Sequence, residues 1–158
     1  MPITIKANHM EDKVNVKFRL VSIDNEQYTS NFEGIVLNSI PEDRLKFQFK
    51  IETLIQMSKG YILVIPSIRY SYEDHELLVA SAVFTYSVLN LDNAIIVDKE
   101  NQRINVKADI FPSLVGAAYS TLRGIVYART SGTPLAKYPL PMIEVKTLVE
   151  KNGISVEE

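Results

Sequence analysis

The chain has 158 residues, 46% of them hydrophobic, enough to bury a core in one domain without covalent staples. It contains no cysteine, which excludes a disulfide framework and a thiolate metal site and leaves His9 and His75 as its only imidazoles. Its 17 basic side chains against 19 acidic ones give a net charge of −2, so the overall basic footprint of a nucleic-acid binder is missing.

Residues 1–12 read as an N-terminal arm. They lack a basic stretch followed by a long apolar one, and no apolar run anywhere nears the length of a membrane span, so a cytoplasmic protein is expected. Val14, Val16, Phe18 and Leu20 alternate with polar residues and predict a half-buried strand. The clearest strand follows at Leu45, Phe47, Phe49 and Ile51, which point one way while Lys46, Gln48, Lys50 and Glu52 point the other. Residues 61–70 are rich in strand formers, and Pro66, which has no N–H to donate, predicts an edge or a bulge there. The polar stretch 72–76 reads as a hairpin connection into a fourth strand over 77–91, with Leu78, Ala80, Ala82, Phe84, Tyr86 and Val88 on one face. Residues 92–102 read as a connector.

Pro112 suits a first helical turn, and Leu114, Ala118, Leu122, Ile125 and Arg129 mark one face of a helix over 112–129, which Val115, Tyr119 and Val126 widen. Gly132 supplies a left-handed stop, and Pro134 forbids resumption. Gly116 and Gly124 lie about two turns apart and so on nearly the same side; either another backbone approaches there, with Tyr119 and Tyr127 beside the contact, or the glycines are merely tolerated. A short helix is expected over 142–149, and residues 151–158 form an acidic tail expected to be flexible. The whole reads as one α+β domain over 1–158: a four-stranded antiparallel sheet, a long helix and a short C-terminal helix.

No nucleophile elbow, phosphate loop, dinucleotide fingerprint or metalloprotease histidine pair occurs in the sequence, so no catalytic residue, cofactor or metal is assigned. Glu73, Asp74, His75 and Glu76 read first as a solvated hairpin tip and only second as a cation or acid–base cluster. Eight tyrosines and six phenylalanines stand out in a chain with no catalytic constellation. Tyr61, Tyr70, Tyr72, Phe84, Tyr86, Tyr119, Tyr127 and Tyr138 either fill the core and a subunit interface or, in part, line an apolar groove for extended polypeptide, with Phe84, Tyr86 and Tyr138 the candidates for the groove. A rival is a small-molecule carrier or enzyme with a pocket between sheet and helix, to which Arg69, Glu76 and Arg123 would contribute.

Pro112 at the helix start, Gly132-Thr133 at its end, Pro141 in the loop that follows, and Leu140 and Ile143 ahead of Leu148-Val149 together resemble the C-terminal half of the SecB export-chaperone family. The resemblance implies a protomer that pairs through its strands and packs its long helices between dimers into a homotetramer, or a dimer in equilibrium with one. It also implies an ATP-independent holdase for unfolded polypeptide clients. Residues 132–143 would form the loop over the groove and 142–149 a lid helix, with Tyr138, Leu140, Met142, Ile143 and Leu148 touching clients. Residues 117–123 do not reproduce the aromatic-proline and arginine-acidic pairs of the familiar export chaperones. The resemblance therefore leaves two partners open, the SecA motor and an antitoxin of a toxin–antitoxin system.

Overall fold

A computed structural model describes residues 16–33, 40–101, 103–106, 110–145 and 154–157. Its elements in chain order are β1 (Lys17–Ser30), β2 (Leu45–Gln56), β3 (Tyr61–Tyr72), β4 (His75–Leu89), a one-turn α1 (Leu91–Ala94), β5 (Ile95–Asp98), β6 (Arg103–Val106), the long helix α2 (Ile110–Thr130) and β7 (Ile154–Glu157). The protein is α+β, with a five-stranded sheet in the order β1-β4-β3-β2-β7 and a separate β5-β6 hairpin.

The first four strands are antiparallel, as their alternation predicts. The sheet nevertheless has five strands and not four, because part of the expected flexible tail, Ile154 to Glu157, pairs in parallel with Thr53 to Gln56. Its alternation of Ile and Val with Ser and Glu is a strand pattern too short to stand out in the sequence. Gln56 Nε2 donates to Glu157 Oε2 at 3.0 Å across that pairing. The connector 92–102 also holds more than expected: its Ala94 and Ile95 are buried, as are Leu91 and Ile104 on its flanks, so α1 and the β5-β6 hairpin belong to the core. The expected C-terminal helix does not cover 142–144, which are not helical; Val145 takes helical conformation, and 146–150, like the arm 1–12, lie outside the described residues.

Pro66 departs from expectation in an instructive way. It sits in β3, a strand with neighbours on both sides, opposite Ile51 of β2. The β3–β4 ladder pairs at Val64–Phe84 and resumes at Ser67–Ser81 without a change of register, so the missing donor interrupts the ladder but does not shift it. The hairpin into β4 turns at Glu73, whose φ of 52° is left-handed. The β2–β3 hairpin closes at Gly60 with φ 67°, a conformation that glycine adopts without strain.

One face of the sheet is apolar. Ile51 and Ile55 from β2, Ile62, Val64 and Ile68 from β3, and Leu78, Ala80, Ala82 and Phe84 from β4 are buried there with Leu114, Ala118 and Leu122 of α2. The helix packs chiefly over β3 and β4. Helix α2 ends as its sequence dictates: Gly132 takes φ 77°, and the Thr133 amide donates to the Thr130 carbonyl at 3.0 Å. At the same end Arg129, expected on the buried face, is exposed and bonds Glu26 of β1 at 2.8 Å.

Strand β1 is the second departure. Expected to be half-buried, it exposes Phe18, Leu20, Val21 and Ile23, each by about 40%. Pairing with Val88, Tyr86 and Phe84 puts Phe18, Leu20 and Ile23 on the helix-bearing face, yet α2 lies over the strands beside them. Register irregularities between Leu20 and Ser22 and between Asp24 and Gln27 bend this edge strand.

Phe84, wholly buried at the centre of this face, should be the most costly single truncation. Phe84→Ala is expected to lower unfolding free energy by about 3–5 kcal/mol in urea titrations, while Val21→Ala on the exposed strand changes it by less than about 1 kcal/mol.

Candidate functional site

Strand β2 turns Phe47 and Phe49 toward the helix-bearing face, β3 supplies Tyr70 and α2 supplies Tyr119. The Phe47 and Tyr70 rings lie 5.3 Å apart, and the Phe49 and Tyr119 rings meet edge to face at 4.8 Å. These four rings form an aromatic cleft flanking α2, and a stretch of the same chain lies across it. After α2 the chain makes a 310 turn at Pro134–Lys137 and continues through 138–144 without regular structure.

The contacts between cleft and segment are specific in position. The Tyr70 hydroxyl donates to the Pro139 carbonyl at 3.1 Å, and the Tyr119 hydroxyl donates to the Pro141 carbonyl at 2.5 Å. Leu140, between the two prolines, is only 6% exposed. Upstream, Leu135 is buried and the Tyr138 hydroxyl reaches the Ile40 carbonyl at 3.4 Å. Downstream, a side chain at Gly116 would bring its Cβ within 3.6 Å of Val145 Cγ2, so the helix and the segment approach closely there. Met142 points away, 87% exposed.

Burial pushes the hydroxyls of Tyr70 and Tyr119 up to about 12; for Tyr119 the neighbouring Tyr70 adds to the rise and Arg123 opposes it. Both groups therefore remain protonated donors throughout the neutral range, as bonds to carbonyl oxygens require. Tyr86, packed against Phe18 at 6.2 Å, is raised to about 12 by burial as well.

The structure redistributes the residues expected to touch clients. Leu140 is buried, and Tyr138 and Ile143 are half-buried against the core. Phe84 and Tyr86 are buried in the protomer's own core and line no open groove. Their inward face was readable from the alternation of β4, but which buried face is open is a tertiary property. Leu148 lies outside the described residues.

The four residues expected at a helix contact divide in two. Gly124 has no atom within 4 Å of its would-be side chain, and Tyr127 is 65% exposed; both lie on the outer side of α2. Gly116 instead meets Val145, and Tyr119 is buried in the cleft, so these two serve contacts within the protomer. Phe47 and Phe49 were missed as site residues, and Tyr70 stood only among the aromatics that core and groove could equally claim. The two phenylalanines lay in the alternation that identifies β2, but nothing local says that Tyr119, about 70 positions on, closes over them.

Of the residues named for a rival pocket, Arg69 pairs with Glu76 on the sheet face away from the helix, and Arg123 is half-buried on α2. A cavity of about 220 Å³ opens where Gln48, Lys50, Ser67 and Arg69 line that face of the sheet. Its two cations are already engaged, Lys50 with Glu52 at 2.5 Å and Arg69 with Glu76 at 2.9 Å. The described residues hold no cluster of three or more potential metal ligands, and no helix among them is long and apolar enough to cross a membrane.

No family model matches the chain, and no curated protein matches it. A crystal structure of a protein of unknown function from Streptococcus agalactiae is similar over 83% of this chain and 99% of its own, at 10% identity and a TM-score of 0.39.

The three raised phenols make an alkaline prediction. A phenol titrates near 10 when unfolded and near 12 in this fold, so the stability it contributes is complete below about pH 10 and is lost as pH rises toward 12. Urea midpoints should fall steeply over that interval, and Tyr119→Phe should shallow the fall while costing about 1 kcal/mol at neutral pH for the lost hydrogen bond. A midpoint unchanged between about pH 9 and 11.5 would contradict the buried-phenol geometry.

Proposed function

We propose that the protein is a SecB-like, ATP-independent holdase that binds unfolded or extended polypeptide at the aromatic cleft and acts in the cytoplasm on export clients or on an antitoxin. The observation that carries this reading is what the cleft holds: an apolar, proline-containing stretch of polypeptide without regular structure, fixed by two hydrogen bonds to its main chain and by the burial of Leu140. Such a site needs no nucleotide or metal, because burial of apolar surface and main-chain bonding supply the affinity.

The quaternary expectation has its own support. Phe18, Leu20, Val21 and Ile23 place large apolar side chains on an edge strand, the arrangement that strand pairing with another copy would cover. The outer side of α2 carries Gly124 with open space above it and Ala117, Ser120 and Ala128 exposed around it, a surface that a second helix could approach closely. Together these faces suit a dimer of dimers built through strands and helices. SecA and an antitoxin are the alternative partners.

Aggregation of a reduced, unfolding client followed by light scattering tests the activity. Suppression is expected at stoichiometric chaperone without nucleotide, and a strict requirement for ATP would refute the mechanism.

Gly124→Leu tests assembly. The protomer has room for the new side chain, so folding should persist while the light-scattering mass falls from tetramer toward dimer. A strict monomer in the unsubstituted protein at micromolar concentration would count against the architecture.

A further inference from the structure

We propose that the segment 138–145 is a tethered occupant of the aromatic cleft, displaced when an extended polypeptide offers Tyr70 and Tyr119 two backbone carbonyls two residues apart with one apolar side chain buried between them. The inference rests on the polypeptide-binding reading above and adds a recognition rule and a built-in competitor to it.

Three observations carry it. First, both hydroxyls bond main-chain oxygens and not side chains, and the bonded residues, Pro139 and Pro141, are two apart. Every residue type presents such a carbonyl, so this pair of donors reads an extended main chain without regard to sequence. Second, the single deeply buried side chain between those carbonyls is Leu140, whereas Met142 two residues on is exposed. The cleft thus demands one apolar side chain and leaves its neighbours free. Third, Pro139 and Pro141 have no N–H, so at the two positions where the segment is gripped its main chain only accepts. It joins no strand of the sheet, unlike β7, which pairs with β2 over four residues. Besides the two carbonyl bonds and Leu140, side chains hold the segment to the core, the Tyr138 hydroxyl on the Ile40 carbonyl and the half-buried Ile143 and Val145, so a chain of similar character can be exchanged for it while the strand ladders stay in place.

The absence of cysteine makes a direct test practical. Gly116→Cys combined with Val145→Cys puts two thiols where helix and segment already approach closely, within reach of a disulfide. Oxidised glutathione then locks the segment over the cleft, and dithiothreitol frees it. The probe is a fluorescein-labelled peptide with the sequence of residues 137–143, titrated by anisotropy against the full-length protein in both states. Peptide affinity should be at least tenfold weaker in the oxidised state and should match the unsubstituted protein after reduction. In a second variant, Leu140→Ser removes the tether's anchor and leaves the cleft intact, so the same peptide should bind at least tenfold more tightly than to the unsubstituted protein. A probe peptide with serine in place of its leucine should lose that gain.

Equal peptide binding in the locked and freed states overturns the proposal, as does an unchanged affinity in Leu140→Ser protein that circular dichroism shows to be folded. The same oxidised and reduced samples are run in the client aggregation assay. Client suppression in a protein whose cleft binds no peptide in either state leaves the holdase activity standing without its assignment to the cleft and sinks the tether. Peptide binding that the lock abolishes, without any client suppression in either state, supports the tether and sinks the holdase reading.

Discussion

One helix cannot cover this sheet. A helix of 21 residues is about 32 Å long and about 10 Å wide, and strands lie about 4.8 Å apart, so α2 shields roughly two strands of the five. It lies over β3 and β4, and everything else about the apolar face follows from how the flanking strands are served. On the β2 side the chain itself returns after its Gly132 stop, buries Leu140 and hangs the Pro139 and Pro141 carbonyls on the hydroxyls of Tyr70 and Tyr119. On the β1 side nothing among the described residues gives such cover beyond the clasp of Arg129 on Glu26 and Tyr28, and Phe18, Leu20 and Ile23 stay about 40% exposed. The two surfaces proposed for clients and for assembly are therefore two answers to one shortage of cover.

The two sides differ in chemistry as well as in cover. Where the chain covers itself, tyrosine hydroxyls bond the carbonyls of Pro139 and Pro141 on either side of the buried Leu140, which makes the contact apolar at its centre and polar on both flanks. At β1 the exposed groups are aliphatic and aromatic, interrupted by Lys17, Arg19 and Asp24 and bent by register breaks. Those charges and bends are the usual means of keeping an open edge from pairing indiscriminately.

Much of the fold was legible because it is periodic. The alternation through Leu45, Phe47, Phe49 and Ile51, the two-faced run of β4, and the helix from its first-turn proline to Gly132 all express local rules of side-chain direction and backbone freedom. What failed to show was whatever depends on partners far along the chain. Strand β7 is four residues long and takes its meaning only from β2. Phe84 and Tyr86 were sorted to the correct face, but only the placement of α2 reveals that this part of the face is closed. The same holds for Tyr119, whose spacing on the helix gave it a side without saying whether that side met another molecule or the chain's own Pro141.

The parallel pairing of β7 with β2 has a consequence for biosynthesis. Gln56 and Glu157, joined by a side-chain hydrogen bond, stand 101 positions apart. While the ribosome is still adding the intervening residues, β2 has its antiparallel neighbour β3 but an empty flank on its other side, and the aromatic cleft is unfilled until 138–145 emerges. Contacts of such long sequence separation close late and slowly. The nascent chain thus passes through a stage in which it displays an unpaired strand and a bare apolar cleft, the same kind of surface that its finished form is proposed to recognise in other proteins.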